Sequence, residues 1–174
     1  MNILEKFKPI KALVFDIDGV LTDGKILLLE SLEMARSMNI KDGFALQLAI
    51  KKGYQILIIS GASDGGAISN RLKSLGIHDI HQGISDKATL LNEKMLKWNL
   101  TKDEVLYVGD DIPDLQAMKI VGLPCCPADA VSEIKEVSLY ISHKNGGEGC
   151  VRDIIEKVLK LNNDWDTETN VSSK

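Results

Sequence analysis

The chain has 174 residues, of which 44% are hydrophobic, 26% charged and 5% aromatic. These proportions belong to a chain that folds around one core, not to a disordered or fibrous one. Its 25 acidic and 21 basic residues leave a formal charge of −4, which argues against nucleic acid as a partner. No apolar run approaches the roughly 18 residues of a bilayer span, and the first residues are too polar for a signal-peptide core, so the expected location is the cytoplasm.

Apolar runs of strand length recur along the chain, continuous and not alternating, as in parallel strands covered on both faces. The first, residues 12–15, runs directly into Asp16 and Asp18. Residues 24–39 follow, with an apolar run, a polar middle and a mixed second run. Propensity alone would allow a helix there, but the pattern favours a hairpin turning near 30–32, with Asp23 and Gly24 forming the turn into it. A helical period then spans 43–52, and a strand at 56–60 ends in Ser60 and Gly61. Helices are expected over 65–75 and 87–98, a strand over 105–109 that ends beside Asp110 and Asp111, and a short helix over 113–119. Strands at 120–126 and 138–142 and a helix at 151–161 complete the pattern. This alternation predicts an α/β fold, a doubly wound and mainly parallel sheet. One domain is expected over 1–161, with the hairpin in place of a cap, and a polar tail over 162–174 in which Trp165 could pack. Cys125, Cys126 and Cys150 form no paired framework and are expected to be reduced, buried apolar residues.

In a doubly wound sheet, ligands gather outside the carboxyl ends of the strands. Polar residues converge at three such ends. Asp16 and Asp18 are two apart, so an extended backbone points both to one side, and crowded carboxylates call for a cation. Mg²⁺ suits them, because it takes one or two carboxylates and leaves positions for water and phosphate oxygens. Asp110 supplies a third carboxylate, with Asp111 and Asp114 beside it. Capping the following helix would account for one of these acids, not for three. Ser60 and Gly61 can hold a phosphate oxygen through a hydroxyl and a backbone N–H, and Lys87 at the start of a helix can supply a fixed positive charge. Together these parts suit phosphoryl transfer through a carboxylate nucleophile, with an acid/base two residues on.

The segments "DIDGVLTDG", "ISG", "SDK" and "GDDIPD" resemble, in order and spacing, the four motifs of the haloacid dehalogenase-like phosphatase superfamily, from about Lys11 to Leu161. Within it the chain looks like the small capless type that dephosphorylates 3-deoxy-D-manno-octulosonate 8-phosphate in lipopolysaccharide synthesis. "NIKDGFALQLA", "VGLPCCPADA" and "GGEGCVRDII" carry this narrower likeness. The resemblance implies a haloacid dehalogenase-type Rossmann-like fold with Asp16 as nucleophile and metal ligand. Asp18 would be the acid/base, lending its backbone carbonyl to Mg²⁺, and Asp110 the third ligand. Asp114 would stand behind them near Lys87, while Ser60 and Lys87 bind phosphoryl oxygens. It also implies a homotetramer in which the hairpins join and a neighbour closes each site, with Lys41 and Asp42 as candidates for gripping the sugar acid. Two positions depart from the family pattern. Ala62 and Glu148 stand where arginine is common, which leaves Arg71 and Lys41 as partners for a substrate carboxylate and keeps a nine-carbon sugar acid phosphate open as the substrate. A receiver-type signalling domain fits less well, because its acceptor aspartate would follow a middle strand.

Overall fold

The computed structural model describes residues 2–31, 34–63 and 66–166. In chain order these form β1 (Ala12–Phe15), the hairpin strands β2 (Leu27–Leu28) and β3 (Met34–Ala35), α1 (Ile40–Lys51), β4 (Gln55–Ile59), α2 (Ala67–Ser74) and β5 (Ile80–His81). There follow α3 (Lys87–Trp98), β6 (Val105–Val108), α4 (Leu115–Lys119), β7 (Leu123–Cys126), α5 (Ser132–Val137), β8 (Tyr140–Ile141) and α6 (Cys150–Leu161). The main sheet runs β5-β4-β1-β6-β7-β8, with every neighbouring pair parallel.

β1 shows why its sequence is apolar without alternation. Leu13 and Phe15 pack into a core shared with Leu46 and Ala49 of α1 and Ile154 and Val158 of α6. Ala12 and Val14 point the other way, onto Leu91 and Met95 of α3, Met118 of α4 and Ile134 of α5. All four β1 residues are fully buried, and burying a side chain such as Leu13 or Phe15 is worth roughly 1.5–3 kcal/mol. Both faces are thus paid in apolar area, and neither can turn to water. Because β4 lies on one side of β1 and β6 on the other, the strand order reverses at β1, and a crevice opens beyond its carboxyl end.

The expected α/β fold is observed, with local differences. The segment 24–39 is a hairpin, pairing Leu27 with Ala35 and Leu28 with Met34, and Thr22 bridges Met38 at its base; residue 32 of the expected turn lies outside the described residues. α1 begins three residues earlier than its period suggests, because Asn39 caps it by accepting from the Lys41 N–H at 2.9 Å. Residue 65, the expected start of α2, is likewise outside the described residues. Of the expected strand 120–126, residues 120–122 form a turn fastened by the Gly122 N–H to the Lys102 carbonyl at 2.7 Å. The two-residue β5 and the short α5 are additions, too brief for a periodic signal. Trp165 packs: the Arg152 guanidinium lies 4.9 Å over its ring and Phe44 meets it edge-on. Tyr54 donates to Asp164 at 2.8 Å, so the first residues of the tail are held against the domain. The three cysteines are free and buried. No helix among the described residues is long and apolar enough to cross a membrane.

Candidate active site

The crevice beyond β1 collects the acidic residues. Asp16 leaves the strand extended, at φ −73° and ψ 168°, and Ile17–Leu21 turn back in a wide loop closed by the Thr22 N–H on the Ile17 carbonyl at 3.0 Å. Gly19 takes φ +86°, and a Cβ there would collide with the Asp110 carboxylate. Glycine at this position is therefore what lets the loop after β1 lie directly against the loop after β6.

Lys87, the first residue of α3, is 3% exposed. Its Nζ lies 2.7 Å from Asp114 Oδ1 and 2.9 Å from Asp16 Oδ1. Burial works against its charge, but Asp114 and Asp16 outweigh that and hold its pKa above the ordinary value. Asp114 is fully buried and engaged at both oxygens: Oδ1 accepts from Lys87 and from the Tyr107 hydroxyl at 2.7 Å, and Oδ2 accepts from the Asp110 N–H at 3.1 Å. It therefore fixes its neighbours and has little capacity left for an ion.

Oxygens of Asp16, Asp110 and Asp114 all lie within 4.8 Å of one another, an arrangement able to hold a metal. Desolvation, then the charge of Asp114, pushes Asp16 up to about 7. Desolvation, then Asp114 and Asp16, pushes Asp110 up to about 8. Asp110 Oδ1 is buried without a hydrogen-bond partner among the described residues. When all three carboxylates are ionised, the single ammonium of Lys87 leaves this buried group two negative charges in excess. An orphaned carboxylate oxygen and that deficit are what a hard divalent cation with oxygen ligands would relieve, so the residues present fit the ion expected from the sequence.

Asp18 faces the other side of the loop. Its Oδ1 lies 2.8 Å from Arg36 Nε on the hairpin and 3.5 Å from Thr22 Oγ1. A cleft of about 440 Å³ opens there, lined by Asp18, Arg36, Ser60, Ala62 and Arg71 among others. Ser60 is buried, and its Oγ accepts from the Ala62 N–H at 3.2 Å; Gly61 is exposed in the same turn. A larger cavity of about 630 Å³ sits at the opposite end of the sheet, around Lys11, Tyr54 and Trp98, away from the acidic cluster.

Three candidates from the sequence fall elsewhere. Asp42 is 1% exposed, and its Oδ1 accepts from the Arg152 N–H at 2.7 Å. It caps α6 across the domain, where Gly149 at the cap has no side chain to offer. Lys41 is exposed and lines a separate pocket with His143, Glu148 and Arg152, away from the cleft that holds Asp18. Asp111 is exposed and accepts from the Ile112 N–H at 2.8 Å, capping the turn before α4; it reaches the site only through its charge, which adds to the rise of Asp110. Conversely, Arg36, Thr22 and Tyr107 were not singled out from the sequence. A signal existed for Tyr107 alone: a tyrosine in a buried strand needs a partner for its hydroxyl, and acids follow within a few residues.

A family model described as haloacid dehalogenase-like hydrolase matches residues 68–154. The 3-deoxy-D-manno-octulosonate 8-phosphate phosphatase KdsC of Salmonella typhi is 32% identical over 158 residues, covering 91% of this chain and 84% of the relative. The phosphatase of that name from Yersinia pestis has a crystal structure with TM-score 0.92 and 29% identity, covering 98% and 91%. One from Moraxella catarrhalis, solved in complex with a magnesium ion, a phosphate ion and a KDO molecule, gives TM-score 0.89 at 35% identity, covering 94% of each chain. The chain belongs to the haloacid dehalogenase-like hydrolase family. Within that family it is a phosphatase, a hydrolase of phosphoric monoesters.

Proposed function

We propose that this chain is a Mg²⁺-dependent phosphatase that hydrolyses 3-deoxy-D-manno-octulosonate 8-phosphate to the free sugar acid and phosphate, in the cytoplasmic synthesis of lipopolysaccharide precursors. The observation that carries the reading is the buried cluster of Asp16, Asp110, Asp114 and Lys87 at the strand-order reversal, with Asp18 beside it in an open cleft. The relatives that act on this substrate cover most of the chain.

In the first step an Asp16 oxygen attacks phosphorus and the P–O bond to the sugar breaks, while Asp18 gives its proton to the departing alkoxide. Ser60, Gly61 and Lys87 hold the phosphoryl oxygens and place phosphorus in line with Asp16. In the second step water attacks the aspartyl-phosphate, Asp18 takes the water's proton, and inorganic phosphate leaves with Asp16 restored. Asp16 and Asp110, with the backbone carbonyl of Asp18, would hold Mg²⁺, which when bound offsets negative charge on the transferring group. Asp114 keeps Lys87 charged and aimed, and Tyr107 keeps Asp114 in place.

The chain assembles as a homotetramer through its hairpin. In support, Leu27, Leu28 and Met34 are 63%, 74% and 59% exposed on a two-stranded element that could not hold such a surface in water alone. A second reading, a nine-carbon sugar acid phosphate as substrate, stays open because Ala62, which lines the cleft, offers no charge to a substrate carboxylate.

A panel of phosphomonoesters assayed with Mg²⁺ and with EDTA tests the reading. Expected are metal-dependent phosphate release, its loss in Asp16→Asn, and the highest kcat/KM on the eight-carbon ester. Turnover that survives Asp16→Asn refutes the nucleophile, and a clear preference for the nine-carbon ester replaces the substrate.

A further inference from the structure

Arg36 stands apart from its surroundings. The hairpin that carries it exposes most of its apolar surface, but the Arg36 side chain is only 14% exposed and sets Nε 2.8 Å from Asp18 Oδ1. Ordering a long side chain on a small exposed hairpin costs rotamer freedom, on the order of 2 kcal/mol for arginine, and an exposed ion pair repays little of it. A surface staple for the hairpin would have served as well with any carboxylate. The one it meets is the acid two residues from Asp16, in the wall of the phosphatase cleft.

The direction of the contacts gives the pairing a chemical meaning. Arg36 Nε and Thr22 Oγ1 both approach Oδ1 of Asp18. The close ion pair with Arg36 restricts the Asp18 side chain at Oδ1, in the wall of the cleft where a leaving group would arrive. Thr22 is itself held, because its hydroxyl also serves the Gly19 N–H at 3.3 Å and the Gly24 N–H at 3.4 Å. The Thr22 proton has a nearer acceptor in the Ile17 carbonyl at 3.3 Å than in Asp18 at 3.5 Å, so the hairpin's Arg36 is the closer hold on Asp18 Oδ1.

We propose that Arg36 is a positioning residue for Asp18: it holds the carboxyl in the cleft where a proton is delivered to the departing alkoxide. This rests on the reading of Asp18 as the acid/base. As the ester P–O bond breaks, the electron pair stays on the sugar oxygen and the proton passes to it from Asp18, whose Oδ1 lies 2.8 Å from Arg36 Nε. The hairpin then contributes to the chemistry as well as to the apolar surface around it.

The test is the dependence of kcat/KM on the leaving group, since kcat/KM reports the steps up to departure of the alcohol. An alkyl phosphate needs its alkoxide protonated, whereas 2,4-dinitrophenyl phosphate expels a stable anion and does not. Arg36→Ala is expected to lower kcat/KM for alkyl phosphates by about 10–100-fold and for the dinitrophenyl ester by no more than about threefold, with Arg36→Lys recovering most of the loss. An equal loss on both esters, or no loss on either, overturns the proposal. So does a loss confined to carboxylate-bearing substrates, which would make Arg36 a substrate contact. Asp18→Asn, measured alongside, separates the two readings. If it shows the alkyl-selective loss and Arg36→Ala does not, only the positioning role fails. If Asp18→Asn lacks the selectivity, the acid/base assignment fails and the positioning role with it. A thermal melt of Arg36→Ala within a few degrees of the parent excludes misfolding as the cause.

Discussion

Asp42 offers a test that separates a structural carboxylate from a substrate contact. It is 1% exposed, and burial pushes its pKa up from 3.8 to about 6 against the pull of the Arg152 backbone N–H and side-chain charge. A rise of about two units corresponds to about 3 kcal/mol between the protonated and charged forms in the fold. Because the folded value is the raised one, the stabilising contribution is fully present below pH 3.8 and is lost as pH rises through 6. Above pH 6 the fold carries a charged, buried Asp42 at that cost. Asp42→Asn keeps an acceptor for the Arg152 N–H and removes the charge. The stability of Asp42→Asn relative to the parent should therefore rise by about 3 kcal/mol between pH 4 and pH 7, or roughly 6–12 °C in melting temperature for a domain of this size. Urea titrations of both proteins across that range measure it, and the difference cancels other titrating groups that the two share. A stability difference that is flat with pH, or of opposite slope, would refute the burial argument. A large loss of phosphatase activity in Asp42→Asn with its fold intact would return Asp42 to the substrate site.

Two further substitutions probe the cluster itself. Gly19→Ala places a Cβ against the Asp110 carboxylate at a backbone angle of +86°; the Mg²⁺ concentration for half-maximal activity should rise at least about tenfold, as when a ligand's support is disturbed, and an unchanged metal dependence would count against Asp110 as a ligand. Lys87→Met strands two buried carboxylates and should cost about 3–5 kcal/mol of stability by denaturant titration along with activity, whereas Lys87→Met with Asp114→Asn should regain much of the stability and none of the activity.

How far the sequence could be read follows from where information is stored. β1, β4 and β6 were readable because strands covered on both faces must be apolar throughout, and the polar residues that interrupt them fall at the carboxyl ends. Asp16, Ser60 and Asp110 were found by that rule alone, before any resemblance was drawn. Lys87 and Asp114 were also singled out from the residues, but their pairing needed the resemblance, because a lysine starting a helix and an aspartate in a first turn are ordinary surface features until a 2.7 Å contact joins them inside the fold. The contact that Asp42 makes was hidden for the converse reason. Its sequence neighbours lead toward the hairpin, but its partner is the backbone of Arg152, 110 residues on. A cap supplied from another helix leaves no local pattern, and the missing side chain at Gly149 was the only trace of it.

The same distinction explains how the acids of the site divide their work. Asp16, Asp110 and Asp114 crowd around one buried ammonium, an arrangement able to hold a cation. Asp18, two residues from Asp16, is balanced by a different cation on a different element, Arg36, and retains one third of its side-chain surface. An acid/base must exchange protons with substrate and water and must not be captured by the ion beside it. A two-residue spacing would leave both carboxylates competing for one cation if the backbone stayed extended. The turn at Gly19 and the separate partner on the hairpin set Asp18 apart from the buried cluster, as the proposed division of this motif between a nucleophile and a proton donor requires.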